Sequence, residues 1–175
     1  AVTTMQAISG AGYPGVSAMD ISDNVLPYIA GEEPKVETEA QKILGQFSNG
    51  SITNADFSVS AQCFRVDVID GHTASVRVNL KKTSTLEDIV DAMRTFPVLE
   101  LYSSPEHFIE VVDEPSRPQP RLDRDNGHGM TITVGRIFPD NVFDYRFVSL
   151  SHNTVRGAAG SAILNAELLI DKGLI

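Results

Sequence analysis

Residues 56–94 read DFSVSAQCFRVDVIDGHTASVRVNLKKTSTLEDIVDAMR. In 73–82, Val76, Val78 and Leu80 alternate with Ser75, Arg77 and Asn79, the period of a half-buried strand. Residues 56–68 read as the strand before it, and Asp70-Gly71 between them is a turn-forming pair. Ser84 with Glu87 matches a capping box, and Leu86, Ile89, Val90 and Met93 form the apolar stripe of a helix ending near Pro97. Two strands followed by a helix, with no strand–helix–strand alternation, make half of an α+β layer.

The flanks extend that pattern. Upstream, residues 1–9 are rich in β-branched and small side chains and read as a strand. Residues 10–31 carry Gly10, Gly12, Pro14, Gly15, Pro27 and Gly31, which predicts a long irregular segment of the functional or interfacial kind. Pro34 suits a first helical turn, Val36, Ala40, Ile43 and Leu44 recur at helical spacing and Gly45 stops them, giving a helix over 34–44. Asn49-Gly50 marks a turn after it. Downstream, 107–113, 130–135 and 145–150 read as strands, and the proline-rich segment 114–129 reads as an extended arm or loop. A final helix spans about 153–171, with small residues at 157–162 that allow close packing. About five strands and three helices result, in one domain over 1–175. The fold class is α+β.

Composition narrows the function. The 175 residues carry 14 basic and 23 acidic side chains, a net charge of −9, which disfavours binding to a phosphate backbone. Hydrophobic residues make up 42%, a globular proportion. No apolar run reaches the roughly 18 residues of a membrane helix. The first ten residues lack the basic and apolar regions of a signal peptide, and the single Cys63 favours a reducing, cytoplasmic compartment. The chain opens without a methionine directly into a strand-like stretch, which reads as a piece of something longer.

Arg65 and His72 are the chemical candidates of the opening stretch. Arginine clamps a carboxylate in a bidentate fork, and histidine moves protons near neutral pH. The competing reading is a solvated strand arginine and a surface turn histidine. Cys63 lies inside a strand, where a thiol is ordinarily buried and inert. Glu32, Glu33 and Lys35 precede a helix; they suit a zwitterionic, phosphorylated ligand or are simply helix-start charges. His72, His107, His128 and His152 show no metal-ligand spacing, so a metal site is unsupported. No glycine-rich phosphate turn joins a strand to a helix, since Gly10-Ala11-Gly12 lacks the third glycine.

Four ordered motifs resemble one family. Thr4-Met5-Gln6-Ala7-Ile8-Ser9-Gly10-Ala11-Gly12 resembles the segment downstream of the nucleophile in aspartate-semialdehyde dehydrogenases. Glu32-Glu33-Pro34-Lys35 with Glu39-Ala40-Gln41-Lys42-Ile43-Leu44 is similar to a second element of that family. Cys63-Phe64-Arg65-Val66 followed by His72 is similar to its substrate-arginine and catalytic-histidine signature. Asn126-Gly127-His128-Gly129-Met130, Val134-Gly135-Arg136 and Asn153-Thr154-Val155-Arg156-Gly157-Ala158-Ala159 resemble the branch found in archaea and fungi. The resemblance runs from residue 2 to about 171.

The resemblance implies a reaction: NADPH-dependent reduction of aspartyl β-phosphate to aspartate semialdehyde, with release of phosphate, on the route to lysine, methionine, threonine and isoleucine. It implies His72 as general acid/base and Gln6 as the group that orients the reacting centre. Arg65 would grip the substrate α-carboxylate, Glu32 the α-amino group (Glu33 if the register slips by one) and Lys35 the phosphate. Asn153 would lie near the nicotinamide amide of NADP. The family's nucleophile lies upstream of the segment matched by Gln6, and Cys63 matches a position beside the substrate arginine instead. The chain therefore reads as the catalytic and dimerisation half, inactive alone. The resemblance also implies a mixed, largely antiparallel sheet with helices packed on one face, a homodimer or homotetramer formed through the sheet and the 114–129 arm, and a C-terminal helix packed on an NADP-binding domain. The rival readings are a non-catalytic self-association module and a small-molecule module that binds aspartate or phosphate.

Overall fold

The computed structural model describes residues 1–175. In chain order the elements are β1 (Val2–Gln6), a 3-10 turn (Ile8–Ala11), α1 (Ala18–Ile21), β2 (Val25–Leu26), α2 (Glu32–Ile43), β3 (Gln46–Ser48), β4 (Ser51–Thr53), β5 (Ala61–Val66), β6 (His72–Val78) and α3 (Leu86–Arg94). They continue with β7 (Ile109–Val112), α4 (Pro120–Asp123), a turn over Asn126–Gly129, β8 (Ile132–Pro139), β9 (Tyr145–Ser151), a π-turn (Val155–Ala159) and α5 (Gly160–Asp171). Seven strands form one sheet in the order β2-β5-β1-β6-β9-β8-β7, and β3-β4 is a separate hairpin. β1/β5 and β7/β8 pair in parallel, and the other pairs of the large sheet are antiparallel. This is the α+β class that the sequence pattern predicts, with the mixed, largely antiparallel sheet that the resemblance implies.

Several boundaries differ from the sequence reading, each for a local reason. The helix α3 is capped one residue later than Ser84–Glu87 predicts: Thr85 Oγ1 accepts from the Asp88 N–H and the Asp88 carboxylate accepts from the Thr85 N–H. The Ser84 carbonyl is taken by the Tyr145 hydroxyl at 2.6 Å, which holds Ser84 outside the helix. Strand β6 stops at Val78 because the Asp144 carboxylate takes the Leu80 N–H while Asn79 Oδ1 accepts from the Asp144 N–H. Continuous α-helix begins only at Gly160, after a wider turn in which the Gly157 and Ala159 N–H groups reach five residues back, to the His152 and Thr154 carbonyls.

Segment 114–129 is not wholly extended. Pro120 opens the single turn α4, whose Asp123 is fully buried and accepts from the Arg117 guanidinium and the Gln119 N–H. The arm lies flat on the sheet at Gly135, where an added Cβ would sit 2.6 Å from the Arg117 carbonyl oxygen.

Cover over the sheet is uneven. Helix α2 packs on β5 at one side, α3 packs on β7 and β8 at the other, and no helix covers β6 or β9 to a comparable extent. Only 21 of 175 residues are buried, so both central strands stay half-exposed. The one apolar cluster, Phe108, Met130 and Leu164, lies beneath α5, where Gly160 lets the helix meet Met130 closely.

Candidate active site

Strand register assembles the site. Parallel pairing sets Gln6 opposite Arg65, and antiparallel pairing of β1 with β6 sets Met5 opposite Thr73, so the next step brings Gln6 to His72. Pairing of β6 with β9 sets His72 opposite Ser151. Arg65, Gln6, His72 and Ser151 thus form one row across four strands, and residues paired in register project from the same face of a sheet. The row lies where β1 ends and the chain turns away at Ala7.

The Ala7 peptide group joins the two chemical candidates of the sequence. Its N–H donates to His72 Nδ1 at 3.1 Å, and its carbonyl accepts from Arg65 Nη1 at 2.7 Å. Gly10 closes over both: a Cβ there would sit 2.9 Å from Arg65 Nη1 and 2.9 Å from His72 Cε1. Arg65 is buried, yet no carboxylate lies within ion-pair distance of it. Burial lowers its pKa and only the Glu32 charge opposes the shift. A buried cation without a counterion is costly, and an anionic ligand removes the cost. Burial and then the Arg65 charge push the His72 pKa down to about 4, against the opposing pull of Glu32 and Asp70. The ring is therefore neutral at pH 7.

The first turn of α2 forms another wall. Glu32 and Lys35, three apart on one helix face, pair at 3.1 Å. Burial works to raise the Glu32 pKa, but hydrogen bonds from Lys35 and Gln6 and the charges of Lys35 and Arg65 hold it below the usual range. The same hydrogen bond and charge raise the Lys35 pKa. Glu33 faces away from this pair: its carboxylate accepts from the Cys63 N–H at 3.1 Å, and Glu37, one turn on, accepts from the Ala61 N–H at 3.0 Å. Cys63 is fully buried, and burial first, then the carboxylates of Glu32, Glu33 and Glu37, raises its thiol pKa.

Asn153 closes the far side. Its Oδ1 accepts from the Gly71 N–H at 2.8 Å and its Nδ2 donates to Ser9 Oγ at 2.8 Å, leaving one amide hydrogen free. Between these walls lies an open cleft of about 570 Å³, lined by Gln6, Glu32, Lys35, His72 and Asn153 together with Ser9, Gly10, Gly12, Ser151, Thr154, Gly157 and Ala158. Only one of its 12 lining residues is hydrophobic, which suits a small, highly polar ligand. Arg65 stands behind Gly10 at its edge. All six residues singled out in the sequence therefore meet in one place. The sequence reading missed the Ala7 peptide, which carries no residue signature, and Ser9, the partner of Asn153.

With this geometry in place, comparison with known proteins identifies the chain. Residues 1–156 match the model of the semialdehyde dehydrogenase dimerisation domain, and the chain belongs to that family. Among individual relatives it is similar to the aspartate-semialdehyde dehydrogenases of Archaeoglobus fulgidus, at 54% identity over 174 residues, and of Schizosaccharomyces pombe, at 52% over 184. Each match covers 99% of this chain and 51% of the relative, so the chain spans about half the length of the curated relatives it matches. A crystal structure of aspartate semialdehyde dehydrogenase with NADP from Candida albicans superposes with a TM-score of 0.88 at 46% identity, covering 99% of this chain and 51% of that one. A Vibrio cholerae aspartate semialdehyde dehydrogenase II complexed with ASA gives 0.76 at 26% identity, covering 97% and 54%.

Proposed function

We propose that this chain is the substrate-binding and self-association half of an aspartate-semialdehyde dehydrogenase, an oxidoreductase of amino-acid biosynthesis. In that reading the complete enzyme converts aspartyl β-phosphate to aspartate semialdehyde and phosphate. The observation that carries the reading is the buried Arg65, without a counterion and in register with Gln6 and His72, at the edge of a polar cleft that Gln6, His72 and the Glu32–Lys35 pair line.

The roles follow from charge and reach. Arg65 offers its remaining guanidinium donors to the substrate α-carboxylate, and burial strengthens that contact. Glu32, held ionised, accepts from the α-ammonium group, and Lys35 meets the phosphate. The two side chains neutralise each other, which holds both in place for a zwitterionic, phosphorylated substrate. Gln6 orients the reacting centre beside His72, which serves the reacting oxygen. The nicotinamide of NADPH supplies the hydride when bound. The residues here that fit its amide end are Asn153, through its free amide hydrogen, and the small Gly157 and Ala158 beside it. The nucleophilic thiol and the dinucleotide cradle belong to the part of the relatives outside these 175 residues, since Cys63 is buried and committed to β5. The C-terminal helix is the surface we assign to contact with that part, and we place the enzyme in the cytoplasm.

Joining these residues to the cofactor-binding half of the Archaeoglobus fulgidus relative tests the reading. NADPH oxidation that depends on aspartyl phosphate and collapses in Arg65→Ala is expected, with no turnover by the 175-residue chain alone. Activity indifferent to Arg65→Ala, or turnover by the isolated chain, would overturn it.

Self-association through the sheet and the 114–129 arm, as a homodimer or homotetramer, is a second role of the same chain. Its support is the half-exposed sheet centre and an apolar cleft of about 490 Å³ that includes Val2, Phe57, Val76, Val78 and Phe143. Sedimentation at micromolar concentration is expected to show at least a dimer; a monomer would remove this role.

A further inference from the structure

We propose that the cleft beside Arg156 binds a small organic acid, a carboxylate carried on a flat or branched apolar body. The carboxylate pairs with the Arg156 guanidinium, and the apolar walls hold the body. This cleft shares no lining residue with the substrate cleft, and the inference does not depend on the reading of that cleft.

The fold leaves one polar group unserved. Arg156 Nη1 is the only buried side-chain nitrogen or oxygen without a hydrogen-bond partner. Nε and Nη2 make no hydrogen bond within the chain either, and Arg156 lines the cleft. Its backbone carbonyl, by contrast, accepts from the Ser161 hydroxyl. Burial lowers the Arg156 pKa, and no carboxylate opposes the shift. A desolvated cation without a counterion is costly, and an anion that reaches it removes the cost. The guanidinium is held in place by aromatic rings. Its Cζ lies 4.8 Å from the Phe108 centroid, and Phe96 meets the same ring edge-on at 6.2 Å. Arg136 stacks on Phe138 at 4.9 Å, but it is exposed, so water serves its N–H groups.

The walls select the ligand. The cleft measures about 330 Å³, near the lower end of ligand pockets, and Phe96, Pro97, Leu99, Phe108 and Leu164 form its apolar side. Phe96 and Leu99 stay exposed although they line it. A phosphate or sulfate would meet the charge but lose its hydration against these walls. A carboxylate on an apolar body gains twice, through a fork on Nε and Nη2 and through covering the exposed side chains.

The turn over Val155–Ala159 explains why an arginine faces this way. The Gly157 and Ala159 N–H groups reach five residues back, so the turn holds one residue more than an α-helical turn, a feature frequent at functional sites. Gly157 and Ala158 line the substrate cleft, whereas Arg156, one residue earlier, lines this second one.

Titration of the isotope-labelled chain with 3-phenylpropionate, followed by NMR, tests the site. Saturable binding is expected with a dissociation constant of about 10 mM or tighter, the strength of a ligand of this size. The largest shifts are expected at the Arg156 Nε–H, Phe108 and Leu164. No saturable binding, or shifts centred on Gly10 and His72, would overturn the proposal. Arg156→Met, which keeps the apolar stem and removes the charge, is expected to weaken binding by about tenfold or more. On the unaltered chain, 3-phenylpropionamide (the body without the charge) and acetate (the charge without the body) are each expected to bind more weakly by about tenfold or more. Equal binding in any of these three comparisons overturns the proposal. In the joined enzyme described above the affinity is expected to persist. Its loss there would mean that the cofactor-binding half fills the cleft, which overturns a small-molecule site.

Discussion

Glu32 and Glu33 are chemically identical neighbours with different tasks, and the helix separates them. One step along α2 rotates a side chain by about 100°, so Glu32 meets Lys35 over the cleft while Glu33 turns to the Cys63 N–H. Sequence alone leaves their register open, because the helix it predicts begins at Pro34, whereas α2 begins at Glu32 and takes both into its first turn. Arg65 shows the opposite case: its residue type and its distance from His72 pointed to a carboxylate clamp, and the structure gives it burial without a counterion. Lysine offers a point charge where arginine offers a planar fork, and it cannot grip a carboxylate bidentately while it holds the Ala7 carbonyl. In the joined enzyme, Arg65→Lys is therefore expected to lower kcat/KM by about 10–100-fold, the loss of one charge-assisted hydrogen bond worth about 1.5–3 kcal/mol. An unchanged kcat/KM would make Arg65 a structural residue.

At the scale of elements, helix α2 closes a gap in the sheet. Strand β2 pairs with β5 only at Val66 and Arg65, so the Ala61 and Cys63 N–H groups on that edge find their acceptors in Glu37 and Glu33. The two carboxylates lie one helical turn apart and match alternate residues of the strand. Replacing either by alanine strands a donor, at a cost of about 1–3 kcal/mol if it stays dry. Glu37→Ala is expected to speed amide exchange at Ala61 more than at Cys63, and Glu33→Ala the reverse; uniform acceleration would mean general loosening of the helix. At the β3–β4 hairpin the sequence predicts the Asn49-Gly50 turn but not the short strands it joins. Asn49-Gly50, flanked by Phe47 and Ile52, is a strong hairpin signal, and both turn residues are left-handed (φ 50 and 77). The parallel pairing of β1 with β5 left no such trace, because no local pattern records which distant strand lies alongside.

Across the whole molecule, the burial that prepares the cleft also sets a pH dependence. The pKa of His72 is near 4 in the folded chain against 6.5 for the free side chain. Between those values the unfolded chain binds more protons, so its contribution to stability is complete above about pH 6.5 and is lost as pH falls toward about 4. Glu32 and Asp123, also held below their usual ranges, act with the same sign at lower pH. The urea midpoint is expected to fall on acidification through this window, and His72→Gln is expected to flatten the upper part of that fall. The same slope in the variant would place the effect in other groups.

The amino-acid sequence by itself determined the α+β class, most of the strands and helices, and the six polar residues that the structure brings to one cleft. Those properties are written in local periodicity, in turn residues and in side-chain chemistry, all of which act between near neighbours. Only the tertiary structure decided that Arg65, Gln6, His72 and Ser151 share one row, and that Glu32 rather than Glu33 faces the cleft. It alone decided that a single peptide group at Ala7 holds both Arg65 and His72. The reason is physical: strand register, helix rotation and backbone hydrogen bonds are set by packing between segments far apart in the chain, and a backbone N–H is the same whatever residue carries it.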